Sequence, residues 1–354
     1  MSDFLLHLKN AVENKSSDIF IIAGSSLSEK TEGHIHPIKE DILFPQDTEK
    51  IIKEIYSIAN RDMDKFLSTG DDDFSFSVSK VARFRVNAFR QRNSMAAVVR
   101  IVSFDIPDWK ELHIPTPVMD ISKITNGMIL FTGTAGSGKS TTQACIVDKI
   151  NNERDCHIIT LEDPIEYLHK NKKSIISQRE ISIDTADYLS ALRACLRQSP
   201  DVILLGEMRD AETIKTAITA AETGHTVIAT MHTKGAINAI DRVIDSFSSE
   251  YQAQVRFQLA TVLKTVVSQQ MLPDISGNIV PAFEVMHINT AIRTMIRDNK
   301  VHQIENSIAA GRNEGMLTMD SSILGLYKEG LISKETAINY ADHPDMMQKH
   351  LLLK

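Results

Sequence analysis

The sequence predicts an α/β chain in two parts, a small α+β domain followed by a larger domain built on a parallel sheet and ending in helices. Three observations carry this. Between Asp73 and Val102 apolar residues alternate at period two, the pattern of half-buried strands. Further on, short apolar runs near Ile129, Ile158, Val202 and Val227 alternate with helical stretches near Thr142, Tyr188, Ala211 and Ala236, the order of a parallel sheet covered by helices. Between the two parts, Pro107, Pro115 and Pro117 punctuate residues 106–117, which suits a semi-rigid connection. The expected division is therefore 1–105, a linker at 106–117, and 118–354.

In chain order, Phe4, Leu5, Leu8, Ala11 and Val12 recur at helical spacing, and Asp18 to Ile22 reads as a strand. A second helix is expected from Thr48 to Ala59. Phe74 with Phe76, Phe84 with Val86, and Val98, Val99 and Ile101 mark the alternating strands of the first domain. In the larger domain Met128 to Phe131 reads as a short buried strand and Thr142 to Ile150 as a helix. From about Phe283 onward the pattern is mostly helical, with Ser333 capping a helix at Lys334-Glu335-Thr336.

A chain of 354 residues, 42% hydrophobic and 24% charged, is long enough for about two domains with cores of their own. Cys145, Cys156 and Cys195 form no C-x-x-C pair, which argues against a structural zinc site or a disulfide framework and fits a reducing cytoplasm. The first residues carry acid where a secretory signal carries base, and no apolar run approaches the roughly 18 residues of a membrane span. The protein is expected to be soluble, with no direct membrane insertion. A formal charge of −7 gives no electrostatic reason for avid nucleic-acid binding, so no nucleic-acid partner is expected.

Gly133-Thr134-Ala135-Gly136-Ser137-Gly138-Lys139-Ser140-Thr141 matches G-x-x-x-x-G-K-[ST], set between an expected strand and an expected helix. In that context glycines let the backbone wrap phosphates, and the N–H groups at the helix start point at the anion. Lys139 is placed to reach the β/γ-phosphates and the Ser140 hydroxyl to bind Mg²⁺. The chain is therefore expected to bind ATP with Mg²⁺.

The apolar run Val202 to Leu205 delivers Glu207 at its end, beside such a loop, because ligands of open α/β sheets bind outside the carboxyl ends of the strands. Glu207 is the candidate for polarising the attacking water. Gly206 stands where a metal-bearing Asp is usual, so the metal would be held by Ser140, phosphate oxygens and water.

Glu162, Asp163 and Glu166 cluster around Pro164 after the strand at Ile158. Two readings stay open: a group that holds hydrated Mg²⁺ or orients water, and an acid-rich helix N-terminus meeting the helix dipole. His225 and His232 stand at the two ends of an apolar strand, roughly 23 Å apart at about 3.3 Å per residue, too far to share a metal. They are read either as sensors of the γ-phosphate or a neighbouring subunit, or as structural histidines. Arg83, Arg85, Arg90, Arg92 and Arg100 make a basic stripe in the first domain, with Phe84 and Val86 on the opposite, core-facing side of the strand. They read as arginine fingers, groups worth about 10³ to 10⁵ in rate, or as a solvated strand face.

The string from Asp73-Phe74-Ser75-Phe76 through Arg83 to Phe89, the phosphate loop, Glu162 to Glu166, Gly206-Glu207-Met208-Arg209-Asp210 and the box from Thr223 to Thr233 together resemble the secretion ATPase superfamily. Within it the chain is most similar to the PilT-like retraction ATPases of type IV pili, the twitching-motility motors. Ala291 to Asp298 and Ser268 to Pro273 resemble two further segments of these motors, whereas the long N-terminal region and four-cysteine zinc site usual in assembly ATPases have no counterpart in this sequence. Thr134-Ala135 departs from the commoner Pro-Thr of the loop, and Leu27 to Ile38 matches the family poorly.

The resemblance implies a homohexamer in which a PAS-like domain packs on a RecA-like P-loop ATPase domain, with ATP at the interdomain and intersubunit cleft. It implies Lys139 and Ser140 on phosphate and Mg²⁺, Glu207 as catalytic carboxylate, and Glu162 and Glu166 acting from the acidic box. His225 and His232 act from the histidine box, and Arg83, Arg85 and Arg100 are the candidate fingers. The load would be an inner-membrane platform protein that depolymerises pilin, engaged at the cytoplasmic face of that membrane. A type II secretion or DNA-uptake ATPase, and an ATP-binding regulatory partner with little turnover, are the alternatives.

Overall fold

Alternation of buried and exposed side chains organises the first part of the chain around one antiparallel sheet. The computed structural model describes residues 3–31, 33–79, 81–102 and 104–352. The chain divides into two units, one running to Asp105 and taking in Glu166–Leu168, the other comprising Ile106–Ile165 and the residues from His169 onward.

The first unit contains α1 (Asp3–Glu13), β1 (Asp18–Ile21), β2 (Ser26–Thr31), β3 (His34–Ile42), α2 (Pro45–Ile58), α3 (Asp64–Thr69), β4 (Asp71–Val78), β5 (Ala82–Gln91) and β6 (Ser94–Val102). The sheet order is β3-β2-β1-β6-β5-β4, with every neighbouring pair antiparallel. Along β5, Ala82, Phe84, Val86 and Ala88 are buried while Arg83 and Arg85 are half-buried on the other face. Phe84 stacks on Phe76 at 5.3 Å between ring centroids, and Phe74 meets Tyr56 of α2 at 4.7 Å. Helix α2 starts earlier than its apolar pattern, because Pro45 opens it and the Asp47 carboxylate accepts the Phe44 N–H at 2.8 Å. Strand β3 escapes sequence reasoning because its side chains are exposed almost throughout, so nothing alternates.

A buried carboxylate ties this unit together. Asp72 accepts from the Tyr56 hydroxyl at 3.1 Å and from two nitrogens of Arg61 at 2.8 and 3.0 Å, and Lys65 Nζ lies 3.0 Å away. Burial favours the neutral acid, but the hydrogen bonds from Arg61, Lys65 and Tyr56 outweigh it and hold the Asp72 carboxyl below its usual range.

The second unit contains α4 (Thr116–Met119), β7 (Gly127–Thr132), α5 (Lys139–Glu153), β8 (His157–Glu162), β9 (Ile175–Glu180), α6 (Tyr188–Cys195), β10 (Val202–Leu205), α7 (Ala211–Glu222), β11 (Thr226–Met231), α8 (Ala236–Asp245) and α9 (Ser249–Val262). It continues with β12 (Leu263–Pro273), β13 (Ile279–His287), α10 (Thr290–Arg297), α11 (Ile304–Ala310), α12 (Met319–Lys328), α13 (Lys334–Tyr340) and α14 (Pro344–Leu352). The sheet order is β13-β12-β7-β11-β10-β8-β9, parallel throughout except for the β12–β13 hairpin. The four expected strands lie together at its centre, fully apolar runs buried on both faces as a helix-covered parallel sheet requires.

Two expectations need correction. The helical end begins at Thr290 and not near Phe283, which sits in β13 opposite Gln269; Pro281 interrupts that apolar run and is tolerated because β13 is an edge strand. Residues 106–117 do not form a free connection: Ile114 is buried and Ile106, Trp109 and Leu112 pack on the same apolar cluster as Ile129, Phe131 and Ile146. Among the described residues no helix is long and apolar enough to cross a membrane.

Asp72→Asn is expected to destabilise the first unit by about 2 kcal/mol at neutral pH, the worth of hydrogen bonds to a charged group. Since the folded carboxyl is held low, the stabilisation is complete above the ordinary carboxylate value of about 4 and is lost as pH falls through the lowered one. Urea midpoints of wild type and variant should therefore converge in strong acid; a gap independent of pH would show that the charge contributes nothing.

Candidate active site

Parallel strands bring β7, β11, β10 and β8 out on one edge of the second sheet, and four loops leave from that edge carrying the polar residues of the site. The loop after β7 is shaped by close approach. Gly133 has φ 143°, and a Cβ there would lie 2.3 Å from the Gln269 carbonyl oxygen of β12 and 2.6 Å from Ser137 Oγ. Gly138, with φ 82°, would bring a Cβ to 2.5 Å from Met271 Cε. Thr134, Ala135 and Gly136 are exposed between them. Helix α5 opens at Lys139, with Ser140 and Thr141 half-buried in its first turn, the end of a helix that attracts anions. The Lys139 ammonium is buried and donates to the carbonyls of Gly133 and Thr134 at 2.8 and 2.7 Å and to Ser137 Oγ at 3.3 Å.

The end of β11 joins this loop to its neighbours. Thr132, the last residue of β7, bonds the Thr233 carbonyl and lies 2.6 Å from the Thr233 hydroxyl. Gln143 of α5 donates to Thr230 Oγ1 at 2.9 Å, and the Thr230 carbonyl accepts the Met208 N–H at 3.0 Å. On the other side, Thr142 donates to Gln269 Oε1 at 2.9 Å.

Glu207 follows β10 and is buried, with Arg209 Nη2 at 2.5 Å from one oxygen and His232 Nε2 at 3.3 Å from the other. The preceding Gly206 has no room for a side chain, since a Cβ would lie 2.6 Å from Tyr188 Oη, 3.2 Å from the Leu161 carbonyl and 3.4 Å from Glu162 Cα. That crowding explains why no carboxylate occupies the position. Glu162, at the end of β8, accepts from Thr160 Oγ1 at 2.5 Å and from Gln178 Nε2 at 3.2 Å.

The remaining sequence candidates separate. The acidic box is not a helix N-terminus, since bends and irregular chain lead from Asp163 to β9; Glu166 is exposed and groups with the first unit. The two histidines part company: His232 faces Glu207, whereas His225 Nδ1 lies 2.9 Å from the Ala220 carbonyl and 3.1 Å from Thr223 Oγ1, closing the end of α7 at the opposite end of β11. Within the first unit Arg85 lies opposite Arg100 across β5 and β6, and Arg100 pairs with Asp18 at 2.9 Å. Sequence reasoning missed Tyr188, Gln143, Thr230 and Gln269 as parts of the site, because ordinary helix and strand positions become site residues only through the pairing of the strands.

Gly133→Ala is expected to weaken binding of a fluorescent ATP analogue at least about tenfold, since backbone and not a movable side chain blocks the added carbon. Unchanged affinity in a titration would show that the loop does not need this close approach.

Residues 4–349 match the family model described as type II/IV secretion system protein. The chain is 43% identical over 334 residues to the type IV pilus retraction ATPase PilT of Pseudomonas aeruginosa, covering 93% of this chain and 95% of that one. It is 45% identical over 276 residues to a twitching motility protein of Neisseria gonorrhoeae, covering 78% of this chain and 74% of the relative. A crystal structure of the pilus retraction motor PilT with bound ADP superposes with a TM-score of 0.89 at 43% identity, over 99% of this chain and all of the other. The loop, the strand-end glutamate and this likeness along nearly the whole length agree, and the chain belongs to the type II/IV secretion system protein family.

Proposed function

We propose that this chain is an ATP-hydrolysing motor that powers type IV pilus retraction, with Glu207 as the carboxylate that activates water. The observation that carries the reading is the buried Glu207, held between Arg209 and His232 on the same sheet edge as the phosphate loop. Similarity to PilT and to a twitching motility protein supports the choice of motor.

Lys139 donates to the loop carbonyls of Gly133 and Thr134, and β- and γ-phosphate oxygens would replace them as acceptors, competing well because they are charged. Gly133 lets the loop pack against the Gln269 carbonyl of β12, and Gly138 opens α5 in a left-handed conformation, so the loop takes the bent path that a phosphate cradle needs. Ser140, one residue into α5, would hold Mg²⁺ together with phosphate oxygens and water, and the bound ion would neutralise charge on the phosphates. Glu207 takes the proton of the water that attacks the γ-phosphate, while Arg209 and His232 fix the carboxylate's orientation. Glu162, itself held by Thr160 and Gln178, orients water from the neighbouring strand. His225 has no part in this step.

The finer assignments extend the same reading. The first unit is a PAS-like domain and the second a RecA-like one, and the protein works as a homohexamer. Arg83, Arg85 and Arg100 are the candidates for fingers that neutralise the transferring phosphoryl group, and Glu166 acts with Glu162 from the acidic box. Hydrolysis becomes rigid-body displacement of the ring, delivered to an inner-membrane platform protein at its cytoplasmic face, and through it to pilin.

Glu207→Gln in the host chromosome tests the reading. Turnover by the purified variant is expected to fall by about 10² to 10⁴, the usual worth of a general base, with ATP binding retained, and electron microscopy should show long, abundant pili on cells that no longer twitch. Bald cells would point to assembly or secretion, and unchanged pili with unchanged motility would sink the motor reading.

A further inference from the structure

Helix α8 begins without a cap of its own, because its N-cap residue is Gly235, which has no side chain to accept an N–H. Two side chains of the β12–β13 hairpin do this instead. Ser268 and Glu284 lie opposite each other in the hairpin register; Ser268 Oγ accepts the Gly235 N–H at 3.1 Å, and Glu284 Oε1 accepts the Ala236 N–H at 2.6 Å. The three preceding residues are fastened as well. His232 Nε2 lies 3.3 Å from Glu207, Thr233 bonds Thr132 at the end of β7, and Lys234 Nζ lies 3.0 Å from the Asp342 carboxylate. Residues 232–236 therefore form one strap that runs from the carboxylate at the β10 exit to Glu284. Beyond Glu284 opens a cavity of about 430 Å³, lined by Lys234, Glu305 of α11, Asp320 of α12, and Asp342 and His343 between α13 and α14. In it His343 pairs with Glu305 at 2.5 Å, and Asp320 accepts the N–H groups of Asp342 and His343 at 2.7 and 3.1 Å. Burial, reinforced by Asp342, Glu305 and Asp320, pushes the Glu284 carboxyl up to about 7 against the bond from Ala236, so its charge changes across neutral pH.

We propose that Glu284, as a carboxylate, is a positioning residue for hydrolysis: through the Ala236 N–H it anchors the 232–236 strap and so keeps His232 against Glu207. The inference rests on the reading of Glu207 as the catalytic carboxylate. A carboxylate suits this place because it accepts an N–H more strongly than a neutral oxygen does, and because negative charge is favoured at the start of a helix. Keeping it ionised opposes folding. The folded carboxyl is raised from about 4.5 to about 7, so the stability of the neutral acid is complete below the first value and is lost as pH rises through the second. Activity and stability should therefore move in opposite directions with pH, whereas a group that only held the fold together would move both alike.

Steady-state ATP hydrolysis by the full chain tests it at about pH 6 and about pH 8, one on each side of the Glu284 value. ATP affinity and melting temperature are measured in parallel on wild type, Glu284→Gln, Glu284→Ala, His232→Ala and the double alanine variant. Glu284→Ala removes the acceptor; it is expected to lower kcat about tenfold at the higher pH, the worth of one hydrogen bond to a charged group, with KM and ATP affinity unchanged. Glu284→Gln keeps an acceptor without the charge. It should match wild-type kcat at the lower pH, fall about threefold short at the higher one, and gain in melting temperature relative to wild type between the two. Once His232 is gone, Glu284→Ala should cost little more, because both changes act through one strap. Wild-type kcat in Glu284→Ala, a loss in KM or ATP affinity, a wild-type-to-Gln kcat ratio that ignores pH, or losses that multiply in the double variant would each overturn the proposal. So would kcat and stability falling together in Glu284→Gln. Should Glu284→Ala fail to fold, the pH dependence of the Glu284→Gln ratio decides alone. Wild-type turnover that survives Glu207→Gln would remove the reading of Glu207 and this inference with it, an outcome seen without touching Glu284.

Discussion

Everything at the site depends on the pairing of β11 between β7 and β10. Thr226 to Met231 runs in register with Gly127 to Thr132 on one side, and Thr226 to Ala229 with Val202 to Leu205 on the other. That pairing sets the phosphate loop and Glu207 at the same sheet edge with one strand, β11, between them. Because side chains alternate along a strand, a slip of one residue would turn Thr230 away from Gln143 and His232 away from Glu207. Ile129, Leu130, Ile203 and Val227 are buried in these same strands, so the core and the chemistry share one alignment.

Polar groups buried at that edge make it rigid. Thr132, Thr142, Gln143, Thr230 and Gln269 are all buried and all paired, mostly side chain to side chain across different elements. Each pair is worth little net, but a lost partner would leave a buried polar atom unsatisfied at a cost of about 1 to 3 kcal/mol. The arrangement therefore tolerates few alternatives. The same holds for the buried Lys139 Nζ, whose donors are taken up by two loop carbonyls and a serine hydroxyl.

The legible parts of the sequence were those whose signal is local. Met128 to Phe131 announces a buried strand, the glycines and Lys139 announce the loop, and Phe84 and Val86 announce a strand face, because spacing alone carries each pattern. What stayed hidden depends on partners distant in sequence. Strand β3 has no apolar face and exists through its ladder with β2. Gln269 meets Thr142 across 127 positions and Gln143 meets Thr230 across 87, and neither residue type signals a site. His225 and His232 looked equivalent in sequence; only the direction of β11 shows that one end faces Glu207 and the other closes α7. The acids at Glu162 and Asp163 were visible, but whether they opened a helix was decided by the chain passing directly to β9.

Two glycines at this edge are required for different reasons, and the difference bears on how such a site can change. Gly133 combines a φ of 143° with a backbone carbonyl 2.3 Å from any added carbon, so no rearrangement of a neighbouring side chain could admit another residue. Gly206 needs no positive φ; a carbon there would meet Tyr188 Oη at 2.6 Å, with the Leu161 carbonyl at 3.2 Å and Glu162 Cα at 3.4 Å. The first glycine is dictated by the fold of the phosphate loop. The second is set by the Tyr188 hydroxyl of α6 together with the backbone at the end of β8. A carbon added at 206 would therefore have to displace both the ring on α6 and the backbone at the end of β8, whereas one added at 133 meets only strand β12 and a serine of its own loop.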